Sequence, residues 1–332
     1  MLRKVILLSF SGLAATNAAA ECVLARGTPT TLTLAAQTIT VSADAAADTS
    51  TPISGAIYTT SAIPTNIGYD GCVAGIPAGR VLIGLSEAVA TKIFKTNIDG
   101  IGVKVQAYTG TGFGNYPLDY TVSFSGGEST GTFDWKAGSY YRLQFFKTAD
   151  TLSLSDPTGD VVLDAGSLAY EWVQDDATRG ISLTINQIKV ISTPACTFDS
   201  SKTIDFSTVT PAMLTSGGVE KPLVFGLTCK TDYGSYSANA SITSTTSSTD
   251  NKYIRVTDSS GNSDNQLGIE IYNSSGGQMS LSGNVLEKSS TVASGVAAEF
   301  NWTAKLVNAG TDKTRPQNGS FTAQAEILLQ LN

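Results

Sequence analysis

The last fifteen residues of the chain, NGSFTAQAEILLQLN (318–332), read as a β-strand with one apolar face. From Phe321 onward, every second residue is apolar or small: Phe321, Ala323, Ala325, Ile327, Leu329 and Leu331. Between them lie Thr322, Gln324, Glu326 and Gln330, with Leu328 as the exception. Because successive side chains of a strand point to opposite faces, this alternation predicts one buried face. The predicted strand ends one residue before the sequence does, with no further segment after it to complete a sheet.

The composition agrees with a chain built of strands and turns. Charged residues make up 15% of the sequence, against roughly 25% in an average soluble protein, and there are 32 glycines. Only SEAVATKIF, near residues 86–94, predicts a helical turn. Strands are predicted in the first half at Thr30–Ser42, Gly102–Tyr108, Leu118–Phe124, Tyr140–Phe146 and Ile181–Ile191. This rhythm is typical of an elongated antiparallel sandwich or barrel.

A second unit is predicted to follow Ser192-Thr193-Pro194-Ala195, where the proline interrupts the strand pattern. We expect two domains, 21–191 and 196–332, joined by a linker at 192–195, since 332 residues can bury two cores. Strands are predicted in the second domain at Cys196–Phe206, Pro222–Cys229, Ser237–Thr243, Lys252–Val256, Gln266–Tyr272, Ala297–Val307 and Gly319–Leu331. Six or seven strands fit an immunoglobulin-like sandwich, but this count leaves open whether the sandwich is complete.

The first twenty residues, MLRKVILLSFSGLAATNAAA, are predicted to be a secretory signal peptide. Arg3 and Lys4 precede a short apolar stretch, and Ala18 and Ala20 frame a cleavage site after Ala20. The apolar stretch is much shorter than the ~20 residues of a membrane-spanning helix, which argues against an anchor. Glu21 stands directly before Cys22, where a lipoprotein signal has a small residue. Removing the peptide makes the net charge of −7 more negative by two.

Four cysteines in an exported chain indicate two disulfide bonds. Three pairings of Cys22, Cys72, Cys196 and Cys229 are open, of which 22–72 with 196–229 is the simplest because it places one bond in each half. Loops of this size would each contribute about 4 kcal/mol in the chain-entropy account of disulfides. The sequence has no C-x-x-C motif and no histidine, so we expect no zinc site and no metal or other cofactor.

The absence of histidine also limits catalysis, because it excludes Ser-His-Asp and Cys-His nucleophile systems. Paired carboxylates could still support glycoside hydrolysis. With 28 Asp and Glu, however, some carboxylates lie close together by chance. We therefore predict that the protein is not an enzyme. The negative net charge and the lack of Lys and Arg clusters argue against electrostatic binding of nucleic acid or an anionic membrane.

The second half resembles a pilin domain of the chaperone–usher fimbrial family. PACTFDSSKTIDFSTVTP (194–211) resembles the opening of such domains, and Cys229 follows Cys196 in the strand PLVFGLTC. Gly319, fourteenth from the end, and the alternating apolar residues after it match the pattern that the family's chaperones recognise. One departure is Leu331, where the family usually has an aromatic residue.

The first half resembles the receptor-binding domain of two-domain fimbrial tip adhesins. TNIDGIGVKV (96–105) and KAGSYYRLQFFK (136–147) are similar to short stretches of these domains, and Cys22 is second in the predicted mature chain, as the resemblance requires. Together the two resemblances imply an all-β chain of two immunoglobulin-like β-sandwich domains. They also imply that the C-terminal domain is an incomplete pilin fold lacking its last strand.

In this family the missing strand is supplied by a periplasmic chaperone and later by the adjacent fimbrial subunit. The resemblance therefore implies these two partners and an outer-membrane usher, with export through the periplasm to a cell-surface fimbrium. Gly319, Phe321, Ile327, Leu329 and Leu331 are the expected interface residues. Because no donor extension precedes Cys22, we expect the subunit to cap the fibre at its tip. The alternative is that the last strand is the seventh of a complete sandwich.

The resemblance to tip adhesins also implies binding of a host glycan or an extracellular-matrix protein by residues 21–191, which we expect to fold alone. Thr148 and Asp150 follow the strand that in mannose-binding relatives precedes the sugar-lining residues. Lys147-Thr148-Ala149-Asp150 differs from the Gln-Thr-Asn type found there, which argues against mannose.

The predicted ligand residues are Glu21, Thr148, Asp150 and Trp172, with Trp135, Asp175, Asp176 and the loop Phe113–Tyr116 as weaker candidates. Tyr140 and Tyr141 should point to opposite faces of their strand, so at least one of them is expected to pack in the core. The main alternative function is a structural minor fimbrial subunit or tip initiator without receptor binding, and an exported glycosidase is the other.

Overall fold

The structure is a computed structural model that describes residues 22–261, 263–310 and 318–331. The predicted signal peptide and Glu21 lie outside these residues. We call residues 22–193 the N-terminal half and residues 195–331 the C-terminal half. Buried apolar side chains form two separate clusters, one in each half. The regular structure of the described residues is all-β apart from two short helices.

The N-terminal half contains a 3-10 helix at Ser125–Gly127 and seventeen strands: β1 (Val23–Arg26), β2 (Thr30–Leu34), β3 (Gln37–Ser42), β4 (Ile57–Thr59), β5 (Ile67–Val73), β6 (Pro77–Leu82), β7 (Ala88–Ala90), β8 (Ile93–Lys95), β9 (Ile101–Tyr108), β10 (Phe113–Asn115), β11 (Leu118–Thr121), β12 (Thr130–Trp135), β13 (Tyr140–Lys147), β14 (Asp160–Leu163), β15 (Gly166–Val173), β16 (Arg179–Ile185) and β17 (Ile188–Thr193).

In its described part, residues 195–261, 263–310 and 318–331, the C-terminal half contains a helix and eleven strands: β18 (Ala195–Phe198), α1 (Pro211–Thr215), β19 (Val219–Lys230), β20 (Ser235–Tyr236), β21 (Ala238–Thr243), β22 (Tyr253–Asp258), β23 (Ser263–Tyr272), β24 (Glu287–Lys288), β25 (Val292–Ala293), β26 (Ala297–Asn308), β27 (Phe321–Thr322) and β28 (Glu326–Leu331).

Two large sheets enclose the N-terminal core. One has the strand order β4-β13-β9-β8-β7, with β10 added to β9, and the other has the order β11-β6-β15-β16-β2. Smaller sheets, β1-β5-β12 and β14-β17-β3, lie beside them. Alternate residues of β9 and β13, such as Val105 and Leu143, are fully buried and pack with residues of the other sheet, such as Leu183. The two inner faces therefore form one core.

Several long predicted strands are interrupted. Thr30–Ser42 divides into β2 and β3, and Ile181–Ile191 divides into β16 and β17. The first piece of each belongs to one sheet and the second piece to another, and they pair in parallel, β2 with β16 and β3 with β17. These two sheets are therefore mixed, whereas the sequence predicted an antiparallel sandwich or barrel. The break lets each segment change sheets while apolar residues stay buried on both sides of it.

Other predictions need correction as well. Residues 86–94 form no helical turn but the hairpin β7–β8, since Ala88 pairs with Phe94 and β8 continues the sheet of β9. The predicted strand Leu118–Phe124 ends at Thr121. Strand β18 ends at Phe198, and residues 199–206 are not a strand. Helix α1, which begins with Pro211 at a helix-compatible position, was not predicted.

A buried carboxylate organises the polar part of the N-terminal core. Glu171 is 1% exposed. Its Oε1 accepts hydrogen bonds from Arg80 Nε at 2.9 Å and from the Tyr116 hydroxyl at 2.9 Å, and its Oε2 accepts one from Trp135 Nε1 at 2.5 Å. Burial raises the pKa of Tyr116 well above its ordinary value, so the hydroxyl keeps the proton that it donates. Trp135 is only 1% exposed, so it is a core residue and not a ligand residue.

The C-terminal core lies between a six-stranded sheet, β18-β19-β26-β23-β22-β27, and a three-stranded sheet, β24-β21-β28. The stacked rings of Phe225 and Phe300, 5.2 Å apart, lie in this core, and Trp302 meets Phe225 edge to face at 4.9 Å. Both predicted disulfides are present, Cys22–Cys72 and Cys196–Cys229. The second joins neighbouring strands β18 and β19.

The predicted last strand is present in two pieces that belong to different sheets. β27 pairs with β22 of the large sheet, and β28 pairs with β21 of the small sheet. The alternation prediction is confirmed on β28, where Ile327, Leu329 and Leu331 are half-buried against the core and the residues between them are exposed. The chain crosses between the sheets at residues 323–325.

The two halves meet through a loop of the C-terminal half. Asp232 is 4% exposed, and its carboxylate accepts the Leu152 amide at 2.9 Å and the Ser192 hydroxyl at 2.6 Å. Its carbonyl accepts the Leu154 amide at 2.9 Å. The neighbouring Tyr233 packs against the N-terminal core, and its hydroxyl accepts the Ser192 amide at 2.9 Å.

We predict that Glu171→Gln lowers the free energy of unfolding by about 3–5 kcal/mol, because it leaves Arg80 charged without its buried partner. Denaturant unfolding of the mature chain measures this. Glu220→Gln is the matched control, since Glu220 is an exposed partner of Lys305 and such pairs contribute about 1 kcal/mol or less. Equal effects of the two substitutions would contradict a central role for Glu171.

We predict that Asp232→Ala loosens the contact between the halves, because it leaves two donors, one of them the buried Leu152 amide, without an acceptor. The expected cost is about 2 kcal/mol or more, with faster hydrogen exchange at the Leu152 amide. Asp205→Ala is the control, since Asp205 is exposed and accepts only the Ser207 amide. Unchanged exchange at Leu152 would show that Asp232 does not join the halves.

Candidate functional site

A long open groove runs along the C-terminal half. It has a volume of about 1240 Å³ and lies between residues 198–206 on one side and residues 321–329 on the other. Its floor consists of apolar core side chains from both sheets: Leu223, Phe225, Ile242, Ile254, Ile269 and Ile271. These floor side chains are themselves at most 9% exposed, so the groove reaches the edge of the core without laying it bare.

The sides of the groove carry strand edges without partners. Among the described residues, β28 pairs with β21 on one edge only, and its other edge faces the groove. Across the groove, residues 199–206 follow β18 but belong to no sheet. An extended segment laid between them would meet unpaired backbone groups and an apolar floor at the same time, which are the two requirements for β-strand addition.

The predicted interface residues mostly lie in this groove. Phe321, Ile327 and Leu329 line it. Leu331 is half-buried against the core beyond its end. Gly319 precedes β27 with φ of +147°, a backbone conformation that favours glycine, and does not line the groove. The part that each of these residues plays in binding a partner stays a prediction.

The predicted ligand residues of the N-terminal half lie at opposite ends of it. Thr148 and Asp150 follow β13 near the C-terminal half: the Thr148 amide donates to the Gly100 carbonyl at 2.7 Å, and the Asp150 carboxylate accepts the Ala47 amide at 2.8 Å. Trp172 of β15 pairs with Arg179 of β16. This pair lies at the end of the two strands that is farther from the C-terminal half. These residues do not form one pocket.

The environment of each candidate limits what it can bind. Trp172 is half-buried over Gly79, where any side chain would collide with the indole ring. The carboxylate of Asp175 accepts the amides of Ala177 and Thr178 and so closes a surface turn. Asp176 forms an exposed ion pair with Arg179. Both aspartates therefore lie in a surface turn.

A cluster of aromatic residues lies on the outer face of the sheet β4-β13-β9-β10. Tyr108 and Tyr140 stand opposite each other on β9 and β13 with ring centroids 5.3 Å apart, and Phe113 of β10 lies 5.5 Å from Tyr108 and 5.9 Å from Tyr140. All three rings are partly exposed. Tyr141 is fully buried and bonds to the Ile181 carbonyl, so Tyr140 and Tyr141 point to opposite faces as predicted.

The sequence indicated part of this cluster and missed the rest. Tyr140 and the loop 113–116 were candidates, but Tyr108 was not. The pairing of β9 with β13 places Tyr108 against Tyr140, and residues so distant in sequence give no local signal of it. Within the described residues no group of three or more metal-ligating side chains occurs. No helix in the same part of the chain has the length and apolar character needed to cross a membrane.

Comparison with known proteins bears on the C-terminal half. Residues 182–332 match the family model described as "Fimbrial protein". No curated protein sequence matches the chain.

Three solved structures show weak structural similarity. The receptor-binding domain of the plasmid-borne adhesin MrkD1P of Klebsiella pneumoniae is 20% identical, with 55% of this chain and 98% of that chain covered and a TM-score of 0.39. The CupB6 tip adhesin of Pseudomonas aeruginosa is 12% identical, with 87% and 88% covered and a TM-score of 0.37.

A chain of the CsuC–CsuE chaperone–tip adhesion subunit complex of Acinetobacter baumannii is 12% identical, with 94% of this chain and 99% of that chain covered and a TM-score of 0.41. At these TM-scores the three similarities support no conclusion about function. The match to the family model agrees with the fold and groove of the C-terminal half. The chain therefore carries a domain of the fimbrial protein family over residues 182–332.

Proposed function

We propose that the protein is a fimbrial tip adhesin. Its N-terminal half binds a host glycan or an extracellular-matrix protein, and its C-terminal half is held in the fimbria by a strand donated from another subunit. The observation that carries this proposal is the open groove with its apolar floor and its unpaired β28 edge. The match to a family of non-enzymatic fimbrial proteins supports it.

The size of the groove fits a donated strand. A strand that places four large apolar side chains on the floor would gain about 1.5–3 kcal/mol for each of them. The sum, roughly 6–12 kcal/mol, is comparable with the whole stability of a small domain. Main-chain hydrogen bonds to β28 would fix the register of the added strand. Without an added strand, the same edge and floor favour aggregation.

The partners follow from this requirement. A periplasmic chaperone would fill the groove first, and the adjacent fimbrial subunit would replace it as an outer-membrane usher assembles the fibre. Ile327 and Leu329 would contact the inserted side chains, since both line the groove beside its apolar floor. The protein would thus pass through the periplasm and end at the cell surface.

The N-terminal half suits a binding role at the tip. It has a core of its own, and most of it lies outside the residues that match the fimbrial family. Thr148 and Asp150 lie apart from Trp172, so the predicted ligand residues form no single pocket. This observation favours a second candidate function, a structural minor subunit or tip initiator that binds no receptor. Receptor binding by the intact chain decides between these two functions.

We predict that a synthetic peptide of alternating valine and threonine stabilises the mature chain, because its valines can cover the groove floor. A gain of about 2 kcal/mol corresponds to a rise of at least about 4 °C in the unfolding midpoint, and the rise should grow with peptide concentration. The amides of β28 that face the groove should become protected from hydrogen exchange. The control is a peptide of the same composition with its valines consecutive.

Equal stabilisation by both peptides, or by neither, would remove the support for strand donation.

We predict that the mature full-length chain binds at least one class of ligand on an array of host glycans and extracellular-matrix proteins. The measurement is binding above that of an unrelated β-sandwich protein, with the alternating peptide present to fill the groove. A chain that is stabilised by the peptide but binds nothing on the array would be a structural fimbrial subunit and not an adhesin.

A further inference from the structure

We propose that the outer face of the sheet β4-β13-β9-β10 is the receptor site, and that its ligand is a saccharide carrying a carboxylate or sulfate group. The inference rests on the proposed adhesin function and names the ligand class and the residues that the function leaves open. Three features of this face support it: a partly exposed aromatic cluster, a guanidinium held in a fixed position, and an unbalanced positive charge.

The aromatic cluster provides a surface for a sugar ring. Tyr108, Phe113 and Tyr140 lie within 5.3–5.9 Å of one another and remain partly exposed. Two of them stand on the neighbouring strands β9 and β13, so their positions are fixed by the sheet. Aromatic rings combine a large apolar area with few rotatable bonds and therefore bind at low entropic cost. The Tyr108 hydroxyl already donates to the Gly110 carbonyl at 3.1 Å, which fixes its ring.

The guanidinium of Arg142 is held at the edge of this cluster. Its carbon atom lies 3.4 Å from the centroid of the Phe113 ring. Its Nε and one terminal nitrogen both donate to Gln106 Oε1, at 3.0 Å and 2.5 Å. Gln106 is itself held, because its Nε2 donates to Asn115 Oδ1 at 2.8 Å. This arrangement pre-organises Arg142 before any ligand arrives.

Arg142 has no carboxylate partner among the described residues. Its second terminal nitrogen makes no hydrogen bond within that part of the chain and is available to a ligand. Other arginines of the N-terminal half are paired: Arg26 with Asp70 and Asp134, Arg80 with Glu171, and Arg179 with Asp176. An arginine that is fixed in place, partly buried and unpaired is suited to an external carboxylate or sulfate.

The charge of the whole face has the same sign. Strand pairing places Lys104 opposite Gln144 and two residues from Gln106, on the same side as Arg142. The outward positions of the four strands are Ile57, Thr59, Gly102, Lys104, Gln106, Tyr108, Phe113, Asn115, Tyr140, Arg142, Gln144 and Phe146. They include two cations and no carboxylate, although the net charge of the chain is −7. An anionic ligand is therefore complementary to this face and is repelled by most of the remaining surface.

The same features select the class of ligand. Two cations are too few to bind a nucleic-acid backbone, whose affinity depends on many phosphate contacts. A sugar ring with one acidic group matches an apolar platform that has a single fixed guanidinium at its edge. Binding should weaken at high salt, because charges at a partly exposed site are screened.

The test uses the mature full-length chain with the alternating peptide in the groove. The probes are matched oligosaccharides with and without sialic acid, with and without glucuronate, and with and without sulfate, together with an acidic peptide. We expect acidic saccharides to bind better than their neutral counterparts. Arg142→Gln should weaken that binding at least about tenfold, as the loss of a charge-assisted hydrogen bond does. Tyr140→Ser should weaken the binding of the same saccharides several-fold.

The matched control is Arg179→Gln. Arg179 is also stacked on an aromatic ring, 3.8 Å from Tyr170, but it is paired with Asp176 and lies in another sheet. The Arg179→Gln substitution should leave the binding of acidic saccharides unchanged. The unfolding midpoints of Arg142→Gln, Tyr140→Ser and Arg179→Gln show whether the three variants are folded. Unaltered binding by Arg142→Gln, a preference for neutral saccharides, or binding of the acidic peptide alone would overturn the inference while leaving an adhesin function in place. No binding to any probe would overturn the inference, and the wider host array then decides the adhesin function separately.

Discussion

The C-terminal half depends on a core that borders an open groove, where none of its described strands lies. Apolar residues of both sheets, such as Phe225, Ile242 and Ile271, face a groove where a further strand would lie in a closed sandwich. The stability of this half is therefore tied to whatever occupies the groove, since burial of apolar area dominates folding. In the proposed function, assembly into a fibre and completion of the fold are the same event.

The N-terminal half is built differently, because its core is closed and contains a buried carboxylate. Glu171 joins Arg80, Tyr116 and Trp135, and these four residues come from four different strands or loops. Such a network adds less net stability than apolar packing but penalises arrangements in which any member loses its partner. A rigid core of this kind keeps the outer face of β9 and β13 in a fixed geometry, which a binding surface requires.

Much of the fold could be predicted from local patterns. Alternation of apolar residues identified β9, β13, β19, β26 and the apolar face of β28. The cysteine count predicted two disulfides, and the separation of the cysteines into two groups made the observed pairing the simplest of three. The break at residues 323–325 could not be predicted, because the alternation keeps the same phase from Phe321 to Leu331. The breaks at residues 35–36 and 186–187 do shift the phase of the buried positions, from Leu34 to Ile39 and from Ile185 to Ile188, a shift that the predicted unbroken strands overlooked.

The proposed binding face could not be predicted from the sequence either. Arg142 and Gln106 form a site only through the register of two strands, and the sequence gives no signal of that register.

The junction between the halves has a mechanical consequence. Only Pro194 separates β17 from β18, so in the proposed role as a tip adhesin, tension between a bound receptor and the fibre would pass along a nearly continuous line of backbone. The bonds from Asp232 to Leu152 and Ser192 lie beside that line. They would break before the strands themselves, because a few side-chain contacts resist shear less than two ladders do. Flow past the cell would then extend the molecule at one defined joint and leave both cores intact.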